Sequence, residues 1–85
     1  MIETLPPLHS LVAVNWIDIV VDGGWVDKEK MEGVSAPHPV DSIGYLSYVG
    51  EKYLVLSSSL SKNGPDQYNN HITIPLGCIE SVVIV

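Results

Sequence analysis

The stretch from Val40 to Leu60 most constrains the fold. V-D-S-I-G-Y-L-S-Y-V (40–49) and Y-L-V-L-S-S-S-L (53–60) are rich in aliphatic and aromatic residues, and only Gly50-Glu51-Lys52 separates them. Two such runs joined by three residues that include a glycine predict an antiparallel hairpin. In the second run Leu54, Leu56 and Leu60 share one parity with Ser58, while Tyr53, Val55, Ser57 and Ser59 share the other. Side chains alternate between the faces of a strand, so the leucines point into a core.

The rest of the chain reads in the same short units. Ser10–Asp18 (S-L-V-A-V-N-W-I-D) is a first strand. Asp22-Gly23-Gly24 is a turn, because glycines accept positive φ. Trp25-Val26 then leads into Asp27–Gly33 (D-K-E-K-M-E-G), where an acidic cap, good helix formers and a terminal glycine predict one or two helical turns. Two prolines within Gly33–Pro39 predict a loop, and Ser61–Asn70 (S-K-N-G-P-D-Q-Y-N-N) predicts a second, polar one. His71–Pro75 is a short strand, Leu76–Ile79 a tight connection with a turn of 3₁₀-helix, and Glu80–Val85 (E-S-V-V-I-V) a last strand. No repeat, linker or low-complexity segment interrupts this order.

Five short strands, a long excursion after the first, a tight hairpin and a one-turn hinge before the last match the plan of a small, strongly bent antiparallel barrel. Src-homology-3-like and Sm-like barrels share it. Eighty-five residues hold one core, so residues 10–85 are expected to form a single mainly β domain behind an extended lead-in at 1–9. The last strand is apolar on both faces, Val82 and Ile84 on one and Val83 and Val85 on the other. One face packs the core; the other requires a cover, supplied by the excursion or by a second subunit.

Charge and cysteine content exclude several classes. Ten acidic residues oppose four lysines, for a formal charge of −6. A protein that binds duplex DNA or the RNA backbone needs clustered basic residues, so neither partner is expected. The one cysteine, Cys78, permits no internal disulfide and no multi-cysteine zinc site, which fits a reducing compartment. No apolar run reaches the roughly 18 residues of a membrane span, and the N-terminus lacks the pattern of a secretion signal, so a cytoplasmic protein is expected.

A group of small phage-encoded proteins has a recurring form: V-x-W-x-D, then G-W, then a serine-glycine-aromatic strand, then I-x-I-P-x-G-x-I. Val14-Asn15-Trp16-Ile17-Asp18, Gly23-Gly24-Trp25, Ser42-Ile43-Gly44-Tyr45-Leu46 and Ile72–Ile79 resemble it, over most of the chain. The resemblance implies a small barrel acting in an infected host cytoplasm. By looser analogy with phage proteins of this size that bind nucleotide messengers of host immunity, it implies sequestration of such a molecule.

Candidate chemistry is sparse. Asp18, Asp22 and Asp27 lack the alternate oxygen ligands of a calcium loop, and His9, His38 and His71 lack zinc spacing. Ser57-Ser58-Ser59 has no G-x-S-x-G context, no phosphate-loop motif is present, and Cys78 sits among apolar residues that do not activate a thiol. The expectation is a protein that is not an enzyme and needs no metal or cofactor. Trp16 reads as core, and Tyr45, Tyr48 and Tyr53 as cross-strand partners, with Tyr68 the freer one. Trp25, behind its glycines, either stacks on a ligand or partner or plugs the barrel end. Lys28, Lys30 and Lys62 can meet negative charge, and Asn69, Asn70 and His71 can orient a ligand. The barrel plan sets the excursion and the Lys52 hairpin turn at one end. The leading expectation is a homo-oligomer that sequesters a small nucleotide-derived ligand; the alternative is a module that docks an acidic, aromatic surface on a host or phage protein.

Overall fold

The computed structural model describes residues 4–19, 24–33, 37–64 and 67–85. Five strands, β1 (Leu11–Asp18), β2 (His38–Val49), β3 (Tyr53–Ser61), β4 (Gln67–Pro75) and β5 (Ile79–Ile84), form one antiparallel sheet in the order β4-β3-β2-β1-β5. Two 3₁₀-helices interrupt them, η1 (Lys28–Gly33) and η2 (Leu76–Cys78). The mainly β reading therefore holds. The sheet is open, with β4 and β5 as its two edges.

The alternation read from the sequence places the core. Val12, Val14 and Trp16 of β1, Leu46 of β2, Leu54 and Leu56 of β3, Ile74 of β4 and Ile79 of β5 are buried together. Val40, Val49, Leu76, Cys78 and Val82 pack around them. Trp16 is core, as expected, and its indole Nε1–H donates to Ser42 Oγ at 3.0 Å, so burial leaves no unpaired donor. Among the described residues every buried side-chain nitrogen and oxygen has a partner.

Gly44 sits where β2 changes partner. Up to Tyr45, β2 pairs with β1, from Asp18↔His38 to Leu11↔Tyr45; from Tyr45 onward it pairs with β3. A Cβ on Gly44 would lie 2.9 Å from the Ser57 carbonyl oxygen and 3.2 Å from Leu56 Cβ. Only glycine lets β3 approach this closely where β2 changes partner. Beyond Ser57, β3 pairs with β4 alone, so Ser59–Ser61 and Gln67–Asn69 form a two-stranded arm. The radius of gyration, 16.2 Å, exceeds the roughly 12 Å of a compact chain of this length.

The structure corrects several boundaries. His38 and Pro39, expected in a loop, begin β2, where Pro39 pairs with Ile17. The opposite edge of β2 is unpaired there, which is where a strand tolerates the missing N–H of proline. Gln67–Asn70, expected as loop, belong to β4, and Gln67–Asn69 pair with Ser59–Ser61. Cross-strand pairing overrides their turn propensity, and Asn70 takes a left-handed φ of 55° within the strand. The expected turn at Asp22-Gly23-Gly24 lies largely outside the described residues, as do residues 34–36 of the predicted loop and Pro65-Asp66.

Candidate functional site

Strand direction decides which loops meet. The excursion leaves β1 after Asp18 and returns at His38, while the β3–β4 connection follows Ser61; antiparallel pairing puts both at one end of the sheet. The Gly50–Lys52 turn lies at the other end. The excursion and the Lys52 turn therefore do not share an end, and it is Lys62 that does.

Of the expected site residues, Lys62, Asn69, Asn70 and His71 belong to or adjoin the arm, and all are exposed. A concavity of about 230 Å³, lined by Ser59, Leu60, Ser61, Gln67, Tyr68 and Asn69, lies on the same arm. Small-molecule pockets commonly enclose some 300–1,000 Å³, so this is a shallow surface feature. Trp25, Lys28 and Lys30 stand apart from it. Trp25 is 104% exposed, so it neither plugs a barrel end nor packs a core. The packed element pairs are those of adjacent strands and of η2 with β1 and β3; η1 is not among them. Lys30 N–H donates to the Asp27 carbonyl at 2.9 Å, which gives the expected short turn its hydrogen bond.

The sequence did not reveal a polar network on the face opposite the core. A bulge between Leu46 and Tyr48 inserts Ser47 into β2. Ser47 Oγ donates to the Val55 carbonyl at 3.0 Å, Ser57 Oγ donates to Ser47 Oγ at 2.9 Å, and His71 Nδ1 lies 2.8 Å from Ser57 Oγ. Each hydroxyl has one proton, so with both committed in this direction the imidazole must donate its Nδ1–H. Nε2 is then the acceptor of the neutral ring, on an exposed side chain. Ser57, only 1% exposed and with its proton directed at Ser47, is not arranged as an activated nucleophile.

A second pair joins distant segments. His9, with a left-handed φ of 74°, stacks on Tyr68 at 5.6 Å between centroids and 8° between planes, and its Nδ1 is hydrogen-bonded to the Tyr68 hydroxyl. His9 N–H also donates to the Leu46 carbonyl, so sheet pairing reaches into the lead-in. Tyr68 is thereby tied to the lead-in across a separation of 59 residues. No local pattern could have signalled either group; both depend on strand register and pairing.

Among the described residues no three His, Cys, Asp or Glu side chains gather where they could hold a metal ion, and no helix is long and apolar enough to cross a membrane. No family model, curated protein or solved structure matches the chain.

Proposed function

We propose that this is a non-enzymatic phage counter-defence protein that binds and sequesters a small anionic ligand, a nucleotide-derived immune messenger, on the β3–β4 arm. The observation that carries the reading is the arm concavity with Asn69 in its lining, Lys62 following Ser61 toward the tip, and the oriented His71 two residues along β4 from Asn69. Lys62 supplies the charge for a phosphate, Asn69 the donor and acceptor of an amide, and His71 an acceptor at Nε2. Trp25, Lys28 and Lys30 leave the sheet at the same end as Lys62 and join the site only by folding over the ligand. Cytoplasmic action belongs to the same proposal.

The finer fold reading is part of it too. We take the open sheet as a small barrel of Src-homology-3-like or Sm-like plan. Its strand order, the close approach of β3 at Gly44, the 3₁₀ turn before β5 and the His9–Tyr68 stack support this.

The test is thermal unfolding and calorimetry of the full chain with a panel of cyclic dinucleotides and ADP-ribose derivatives. A ligand at 100 times its Kd adds about 2.7 kcal/mol, a rise of several degrees in Tm, and His71→Ala and Lys62→Ala should abolish the rise. No shift and no heat across the panel would remove the proposal.

One observation favours a second reading, a protein-interaction module: the excursion presents Trp25, Val26 and Met31 exposed. Exposed aromatics of this kind anchor protein interfaces. Recovery of one stoichiometric partner that is lost with Trp25→Ala would support this reading over the first.

A further inference from the structure

The sheet face opposite the core changes character from one side to the other. On β3 and β4 it carries Ser57, Ser59, Asn69 and His71 toward the arm, and Tyr53, Val55, Thr73 and Pro75 toward the other end. Across β5, β1 and β2 it is apolar, because register aligns Val83, Ala13 and Ile43 in one row and Val85, Leu11 and Tyr45 in the next. Val83 is 56% exposed, Val85 66%, Leu11 38% and Ile43 65%. Together they leave on the order of 400 Å² of apolar side chain in one patch, the size that marks an interaction site on a soluble protein. Of the two covers expected from sequence, the excursion contributes no extensive packing through its described helix η1.

We propose that the β5-β1-β2 face is the interface through which two copies of this chain dimerise, sheet on sheet about a two-fold axis. Charge supports a second copy as the occupant. The six side chains carry none, in a chain of −6. The acid on the adjoining register row, Asp41, accepts a hydrogen bond from Asn15 Nδ2 at 2.7 Å. Two like-charged chains approach with least repulsion through such a face, whereas a basic partner finds little there to pair with.

Shape supports it as well. Ala13, the smallest of the six, sits between Val83 and Ile43 across the sheet and beside Leu11 along β1, a hollow ringed by larger side chains. An isologous contact can seat a large side chain of each copy over Ala13 of the other, as stacked sheets interdigitate. In area, about 400 Å² of apolar surface is close to the apolar portion, a little over half, of the roughly 800 Å² per partner of a standard interface, and Asn15, Asp41 and Ser81 lie at its polar rim.

Sedimentation of the full chain between about 1 and 200 µM, at low and high salt, tests the proposal. A reversible dimer is expected, several-fold tighter at high salt because screening removes like-charge repulsion. Val83→Lys and Ile43→Lys should each yield monomer with unchanged circular dichroism, while Trp25→Ala leaves the dimer intact. Should a lysine variant fold poorly, amide exchange of the wild type replaces it, with protection at 11–13 and 83–85 rising with concentration. A chain that stays monomeric at the highest concentration and salt would overturn the proposal. So would a dimer that survives both lysine variants, or exchange protection confined to a strand edge.

Discussion

The buried hydroxyl of Ser57 lies 2.8 Å from Nδ1 of His71, and the bulged Ser47 accepts the Ser57 proton, so β2, β3 and β4 are joined by a directed chain of hydrogen bonds. Ser57→Ala removes both bonds of that hydroxyl and should cost about 1–2 kcal/mol, which for a domain this small lowers Tm by several degrees. Nitrogen NMR of the neutral His71 ring should show the Nδ1–H tautomer in the wild type and a mixture in Ser57→Ala. A mixture in both proteins would contradict donation from the His71 ring to Ser57.

The two tryptophans should separate in fluorescence. Trp16 is 8% exposed and Trp25 104%. With Trp25→Phe, the remaining emission should be blue-shifted and resist acrylamide; with Trp16→Phe it should be red-shifted and strongly quenched.

Stability should divide between the same residues. Trp16→Ala leaves a cavity and strands Ser42, at a cost of some 3–5 kcal/mol, a large part of the 5–15 kcal/mol that holds a typical domain. Trp25→Ala should change unfolding free energy by less than about 0.5 kcal/mol, as exposed substitutions do. Urea titration measures both.

Gly44→Ala should destabilise the fold by about 1–3 kcal/mol, because the new methyl meets the Ser57 carbonyl at 2.9 Å and backbone cannot yield as a side chain can. Equilibrium unfolding with unchanged m value would show it. A neutral or stabilising result would mean that β2 and β3 are less closely apposed.

His9→Ala should loosen the lead-in by removing the stack on Tyr68 and its hydrogen bond. Faster amide exchange at His9, Ser10 and Tyr68, with little change at Leu54 and Leu56, is the expected pattern.

The particular residues show what the sequence by itself determined. Alternation in β3 placed Leu54 and Leu56 inside, because a strand has two faces and only one can be dry. The short Gly50–Lys52 link determined the hairpin, and apolar residues on both faces of the last strand marked a face in need of a cover. Several motif positions turn out to be structural: Trp16, Gly44, Ile74 and Ile79 are buried. Only the tertiary structure decided the rest. Whether Gln67–Asn70 is strand or loop depends on a partner in β3, since turn formers extend once their backbone groups find a ladder. That Trp25 stands in solvent is a property of the folded chain. That Lys62 rather than Lys52 shares an end with the excursion, and that Ser47, Ser57 and His71 meet, follow from strand direction and one inserted residue. Such relations join residues far apart in the chain, and no local pattern encodes them.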